Sequence, residues 1–244
     1  MTNRAPSTQI SHEDIEYHLR TDPHRPGFRL GEVILGGQDG LVNVLGVLLG
    51  VAAASGSSRL VIAAGLAATF AESISMAAVA YTTKRAEADL FHSEAARERR
   101  HLKAVPTLER EEVRALYRRK GFEGQLLDRI VDTITANEDV WVAVMMAEEH
   151  GLVPVSHRRA LVASLIVGAS AVVGSLIPLV PFFFVSIGPA IWGSIALAGI
   201  TLFAFGGLKA RWTVGVPWKS GLELAAIGLC SALAGYAVGA LFDV

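Results

Sequence analysis

The chain has 244 residues, of which 52% are hydrophobic and 18% are charged, and its formal net charge is −1. Its mean hydropathy of +0.43 lies above the usual range of soluble domains and indicates a membrane protein. No dense basic stretch suggests a nucleic-acid-binding surface, so we expect no nucleic-acid partner. A single cysteine, Cys230, excludes disulfides and thiolate metal clusters.

The first thirty residues are polar and contain Pro6, Pro23 and Pro26, with none of the apolar core of a signal peptide. We therefore expect the first membrane segment to remain as an anchor. Residues 11–20 are a candidate short amphipathic helix on the membrane surface.

Five segments are long enough and apolar enough to cross a bilayer, which takes about 20 mostly apolar residues. They are 32–54, 60–82, 159–180, 182–206 and 220–241. Because only the proline-containing turn 177–182 separates the third from the fourth, these two are predicted to form an antiparallel hairpin. The sequence thus predicts an all-α integral membrane protein with five transmembrane helices.

The basic residues predict the orientation of the chain. Lys and Arg number four in the N-terminal segment 1–31, fourteen in 83–159 and three in 207–219, and only Arg59 lies in the other loops. By the positive-inside rule, the N-terminus is cytoplasmic and the C-terminus lies on the opposite side. The predicted division is a cytoplasmic segment 1–31, spans one and two in 32–82, a cytoplasmic domain in 83–158, and spans three to five in 159–244.

The sequence pattern predicts that the cytoplasmic block, residues 83–158, is helical throughout. Residues 82–104 contain no proline or glycine and follow directly from span two, which predicts one long helix that Pro106 ends. A second helix is predicted over 107–120, with Thr107 as its N-cap. A third is predicted over 123–150, ended by Gly151.

Acidic and amide side chains inside the spans are the first candidates for function. A carboxylate near the bilayer centre costs at least about 2.5 kcal/mol, so such residues are functional candidates by default. Asp39 and Asn43 share one helix face, as do Glu72 and Met76 on span two. If the two faces meet, they line a path of carboxylate, amide and thioether groups suited to a divalent transition metal.

The alternative is that Asp39 and Glu72 are protonated or hydrogen-bonded structural groups between helices. Glu223 near the start of span five can simply reach the headgroups, and Glu32 lies at an edge. The glycines of span one recur at a spacing that lets helices approach closely, against another span or a second copy of the chain. They are Gly36, Gly40, Gly46 and Gly50.

A second candidate site lies in the cytoplasmic block, where three predicted helix faces carry carboxylates. The long helix has a stripe of Glu87, Glu94, Glu98 and His101, the next helix has Glu109 and Glu112, and the third has Met145, Met146 and Glu149. Folded together, they would make an oxygen-rich cluster with thioether sulfur for divalent cations. The alternatives are a solvated, salt-bridged face for the glutamates and core packing for the methionines.

The remaining histidines have no ligand-like spacing and are expected at the surface. They are His12, His18, His24, His92, His150 and His157.

Five stretches in order resemble the vacuolar iron transporter family, in a bacterial-type form, over about residues 30 to 242. They read "GEVILGGQDGLVNVLGVLLGVAAAS", "ESISMAAVAY", "VPTLEREEV", "VWVAVMMAEEHGL" and "IPLVPF". The resemblance implies a homodimer that moves Fe²⁺, and often Mn²⁺, out of the cytoplasm in exchange for protons. It implies an ion path between the subunits at Asp39 and Met76.

The resemblance also implies a cytoplasmic metal-binding domain, with ligands that map to Glu98, Glu109, Glu112, Met145, Met146 and Glu149. Two positions depart from the family pattern. His101 stands where the family has a further glutamate, and the family's span-two glutamate aligns with Ala68, one turn before Glu72. These departures bear on the number and choice of metal ions.

The sequence thus predicts a proton-coupled exporter of Fe²⁺ and also Mn²⁺, without a prosthetic group and without enzymatic chemistry. One alternative is a membrane-anchored iron-sensing or iron-storage protein. Another is a ferritin-like oxidase, which would need two Glu-x-x-His motifs, whereas only Glu98–His101 has that spacing. The chain contains 17 Arg and 5 Lys residues. This preference for Arg favours a bacterium with a GC-rich genome as the source, so we expect the protein in a bacterial inner membrane.

Overall fold

The computed structural model describes Glu16, residues 29–213 and residues 215–242, and the regular elements of this part of the chain are all α-helices. They are α1 (Leu30–Ser55), α2 (Ser58–Ala104), α3 (Pro106–Arg119), α4 (Gly124–Thr135), α5 (Glu138–Glu148), α6 (His157–Leu179), α7 (Pro181–Phe184), α8 (Ile187–Trp212) and α9 (Pro217–Leu241). The candidate amphipathic helix over 11–20 lies outside the described residues, apart from Glu16.

Five of these helices are long and apolar enough to cross a membrane: α1, α2, α6, α8 and α9. This confirms the predicted number of spans and the all-α class. The fourth span begins at Ile187 and not at 182, because Pro181 starts the separate single turn α7 and Phe182 packs into an apolar cluster. Pro178 lies inside α6, and its carbonyl oxygen accepts a hydrogen bond of 2.6 Å from Ser194 of α8.

Helix α1 lies between α6 and α9 and contacts both through glycines. Gly36 and Gly40 lie against the backbone of α6, where an added Cβ would overlap a carbonyl group. Gly46 and Gly50 lie against α9, and a Cβ on Gly239 would overlap the carbonyl oxygen of Gly50. The glycine spacing of span one therefore serves packing against helices of the same chain.

Helix α2 runs without a break for 47 residues, which confirms that the predicted helix over 82–104 continues from span two. At 1.5 Å per residue it is about 70 Å long, more than twice the roughly 30 Å hydrocarbon core of a bilayer. Its second half therefore projects from the spanning bundle and carries α3, α4 and α5.

Two details of the projecting helices differ from the prediction. Helix α3 begins at Pro106, which occupies its first turn, and no side chain caps it, so Thr107 is not the N-cap. The predicted single helix over 123–150 is wrong, because it is divided into α4 and α5. Asn137 ends the first part by capping the second: its side-chain oxygen accepts hydrogen bonds from the backbone N–H groups of Asp139 (2.9 Å) and Val140 (3.1 Å).

Apolar contacts and ion pairs hold the projecting helices to one another. One cluster, including Val113, Val131 and Met145, joins α3, α4 and α5. A second, including Leu102 and Met146, joins α2 to α5. Ion pairs at the surface connect the same elements: Arg99–Asp139, Arg110–Asp132, Arg114–Asp128 and Lys120–Glu148. These contacts fix the faces on which the candidate ligands lie.

Candidate metal sites

Within the spanning bundle, the polar faces of α1 and α2 meet. The side-chain amide of Asn43 donates a hydrogen bond of 3.1 Å to Oε1 of Glu72. Asp39, one turn before Asn43 on α1, lies close enough to Glu72 for the two carboxyl groups to interact electrostatically. The two helix faces thus meet, and two carboxyl groups and one amide lie together between membrane-spanning helices.

The other intramembrane candidates lie around this group. Met76 is half-buried one turn after Glu72 on α2, and Ala68, one turn before Glu72, packs against an apolar cluster of the bundle. Glu223 is exposed on α9, and Glu32 lies half-buried in the first turn of α1. Glu72 is thus the carboxyl group that α2 presents to Asp39.

A second polar cluster lies where α2 and α3 pack outside the bundle. One candidate ligand atom from each of Glu98, His101 and Glu109 lies within 4.8 Å of the others. Nδ1 of His101 is 3.4 Å from Oε1 of Glu109. Glu98 and Glu109 are only 4% and 2% exposed, whereas about half of the His101 side chain is accessible. The cluster therefore has a buried acidic floor and an exposed imidazole at its edge.

Each of the two buried glutamates has one carboxylate oxygen without a hydrogen-bond partner. These atoms are Oε2 of Glu98 and Oε2 of Glu109. A buried polar atom without a partner is costly, and in native proteins most such atoms are satisfied. Carboxylate oxygens are the ligands that hard divalent cations prefer, so a bound cation would supply such an atom with a partner.

Two further glutamates, Glu112 and Glu149, interact electrostatically with this cluster. Burial, followed by the nearby charges of Glu112 and Glu98, raises the pKa of Glu109 to about 7. Burial and the charge of Glu112 also raise the pKa of Glu149 above its usual range, although His150 opposes this shift. Carboxyl groups that repel one another in this way favour a proton or a cation between them.

The remaining residues predicted for this site divide into two groups. Met145 is fully buried against Val113 and Val131, and Met146 is buried against Ala95 and Leu102, so both methionines fill apolar cores. Earlier on the stripe of α2, Glu87 pairs with Lys84 and the largely buried Glu94 pairs with Arg97, so both form ion pairs on this helix.

His150 is exposed, as expected of a surface residue, but its imidazole also contacts the buried part of this cluster. Its Nε2 lies 3.0 Å from Oε1 of Glu98, and 28% of its side chain is exposed. The two residues are 52 positions apart, so no local spacing could have paired them. Of the other histidines set aside, His92 and His157 are exposed, whereas His12, His18 and His24 lie outside the described residues.

Comparison with known proteins gives consistent matches along the chain. A profile described as the VIT family matches residues 30–240. "Vacuolar iron transporter 1" of Oryza sativa subsp. japonica is 34% identical over 206 residues, which cover 84% of this chain and 82% of that protein. The protein of the same name from Tulipa gesneriana is 33% identical, with 85% and 84% covered. "Protein CCC1" of Saccharomyces cerevisiae is 28% identical, with 76% and 58% covered.

Proposed function

The chain belongs to the VIT family, and we propose that it is a transporter that exports Fe²⁺, with Mn²⁺ as a second cargo, from the cytoplasm in exchange for protons. The similarity to proteins named as iron transporters over more than four-fifths of both chains supports iron as the cargo. The observation that carries the proposal is the meeting of Asp39, Asn43 and Glu72 between α1 and α2.

This intramembrane group supports a cation path because its atoms are ligands and its position is costly otherwise. Two carboxyl groups and an amide offer oxygen donors to a divalent ion, and Met76 adds a thioether one turn away. A plain anchor would not need charged groups between its helices. In this path Asp39 and Glu72 hold the ion, and Asn43 orients Glu72 through its hydrogen bond.

The cluster outside the bundle supports capture of the metal before it enters the membrane. Glu98, His101 and Glu109 form its centre, and Glu112 and Glu149 add negative charge. The two buried oxygens without partners are the strongest feature of this cluster, because they are in place to accept a cation. Met145 and Met146 lie on α5 within the adjoining apolar clusters, and only the family resemblance supports them as further ligands.

Proton exchange follows from the use of carboxyl groups as ligands. Two carboxyl groups as close as Asp39 and Glu72 repel each other when both are ionised, which favours a proton or a cation between them. A carboxylate must be ionised to bind a metal ion, so arrival of the ion displaces a proton and its departure allows reprotonation. Metal and proton thus occupy the same groups in turn.

A homodimer is supported by the exposure of polar groups on α1. Asn43 is exposed on a spanning helix and borders an open groove between α1 and α9 with Gly46, Gly50 and Ser231. Polar groups at membrane depth require cover by protein or a water-filled path. A second copy of the chain against α1 would supply that cover and place the path between subunits.

We propose that the N-terminus and the projecting helices are cytoplasmic and the C-terminus is on the opposite side, because 21 of the 22 Lys and Arg residues lie in one set of loops. The arginine-rich composition favours a bacterial inner membrane.

The test is Fe²⁺ uptake into proteoliposomes with an acidic interior, under anaerobic conditions and with a trapped pH dye. We expect uptake to depend on the acidic interior and to raise the internal pH. Asp39→Asn and Glu72→Gln should each abolish most of the flux while leaving the protein monodisperse in detergent. Glu223→Gln removes an exposed carboxylate of α9 and serves as the matched control.

Equal flux in the native protein and Asp39→Asn would remove Asp39 from the path. Fe²⁺ uptake at the same rate with and without the pH gradient would contradict proton exchange. Flux no greater than that of empty liposomes, in a protein that still binds Fe²⁺, would favour the sensing or storage alternative.

A further inference from the structure

We propose that His150 is a ligand of the metal cluster outside the bundle, so that this site consists of two carboxylate–imidazole pairs, Glu98–His150 and Glu109–His101. The inference rests on the proposed function only in taking this cluster as the place where the cargo metal is captured. It assigns a role to a residue that neither the sequence pattern nor the family resemblance indicates.

The two pairs have the same arrangement. In each, one carboxylate oxygen faces an imidazole nitrogen, at 3.0 Å for Glu98–His150 and 3.4 Å for Glu109–His101. The second oxygen of each carboxylate is buried and has no hydrogen-bond partner. Glu98 links the two pairs, because its carboxylate contacts His150 and also lies within 4.8 Å of ligand atoms of His101 and Glu109. Together these side chains offer a cation mixed oxygen and nitrogen ligands.

The backbone holds His150 in this position. Its N–H donates a hydrogen bond of 3.2 Å to the carbonyl oxygen of Met145, which keeps the residue against the last turn of α5. Gly151 then adopts a positive φ of 63°, and the chain turns back so that Leu152 donates to the carbonyl oxygen of Met146 at 2.9 Å. The imidazole is therefore presented toward α2 by a fixed helix end.

A second imidazole changes which ions the site prefers. Carboxylate and water ligands suit Mg²⁺, Ca²⁺ and Mn²⁺, whereas imidazole suits iron, nickel, copper and zinc. With His101 alone, the cluster has one nitrogen ligand among several carboxylates. With His150 as well, it discriminates Fe²⁺ and later metals against Mn²⁺ more strongly, so His150 is a specificity-determining residue for capture.

The test counts the nitrogen ligands directly in the full-length protein in detergent. Mn²⁺ is the probe, because pulsed electron paramagnetic resonance detects imidazole nitrogen bound to it. We expect two imidazole nitrogens in the native protein and one in His150→Gln, whose amide can still hydrogen-bond Glu98. His150→Gln should also weaken Mn²⁺ binding by about tenfold or more and lower the ratio of Co²⁺ to Mn²⁺ affinity, with Co²⁺ standing in for Fe²⁺.

His92→Gln is the matched control, because His92 is an exposed histidine on the same long helix, and it should leave all three readouts unchanged. An unchanged nitrogen count in His150→Gln would overturn the inference even if affinity fell, since a residue that only positions Glu98 would weaken binding without donating nitrogen. A native protein without imidazole nitrogen on its Mn²⁺ would also overturn it.

Failure of the proposed function would look different, namely absent Fe²⁺ flux in proteoliposomes with both nitrogens still on the metal.

Discussion

Replacing Glu109 by Gln should stabilise the metal-free protein at alkaline pH while weakening its binding of metal. Glu109 is 2% exposed, one of its oxygens has no partner, and its pKa is about 7 instead of the usual 4.5. A glutamine of the same shape removes the charge that burial and the neighbouring Glu98 and Glu112 disfavour.

The sign and size of the effect follow from the pKa in the two states. Below pH 4.5 Glu109 is protonated in both folded and unfolded chains, and its contribution to stability is fully present. Between pH 4.5 and about 7 only the unfolded chain releases the proton, so stability falls as pH rises. Above about pH 7 the loss is complete and amounts to about 3 kcal/mol.

Thermal unfolding of the chelator-treated protein in detergent, at pH 4.5 and pH 8, measures this difference. We expect similar Tm values for native protein and Glu109→Gln at pH 4.5, and a Tm about 6 to 12 °C higher for Glu109→Gln at pH 8. Added Mn²⁺ should raise the Tm of the native protein more than that of the variant. Glu111→Gln, which alters an exposed glutamate paired with Arg114 on the same helix, is the control.

A Glu109→Gln protein no more stable than the native one at pH 8 would refute the reasoning. A gain of equal size at both pH values would also refute it, because the effect would then not depend on ionisation.

The other predictions concern metal affinity, packing and capping. Below about pH 7 the Mn²⁺ affinity of the native protein should fall by up to about tenfold per pH unit, because the ion must displace the proton of Glu109; titration of free Mn²⁺ by electron paramagnetic resonance measures this. Gly239→Ala should cost about 1 to 3 kcal/mol and lower the Tm, because its Cβ would overlap the backbone of α1, whereas Gly188→Ala meets open space and should be tolerated. Asn137→Ala should cost about 1 kcal/mol and speed hydrogen exchange in α5, and Thr107→Ala, which removes no helix cap, should not.

Local pattern was sufficient for the features that depend on one helix at a time. The five apolar segments correspond to five membrane-length helices, since a span needs an uninterrupted apolar run. The stretch from Thr82 to Ala104 has no breaker and is part of one continuous helix. The spacing of Glu98 and His101 places both at one cluster, because residues three apart share a helix face.

Local pattern failed where two weak signals competed. The division between α4 and α5 depends on Asn137, whose side chain competes for backbone hydrogen bonds within an otherwise helical sequence. Its residue type predicts Thr107 as a cap, but Pro106 already occupies the first turn of α3. In both places one residue shifts the end of a helix from its predicted position, and the number of spans is unchanged.

The sequence by itself determined the class, the spans and the kinds of candidate ligand, because these depend on composition and on spacing along single helices. Only the tertiary structure decided which candidate ligands meet. In the fold His150 contacts Glu98, which is 52 residues away in the chain, and Asn43 donates a hydrogen bond to Glu72, which is 29 residues away. The tertiary structure also packed the glycines of α1 on α6 and α9 and buried Met145 and Met146 in apolar clusters. Contacts between distant residues depend on how helices pack, and periodicity within one helix carries no information about its neighbour.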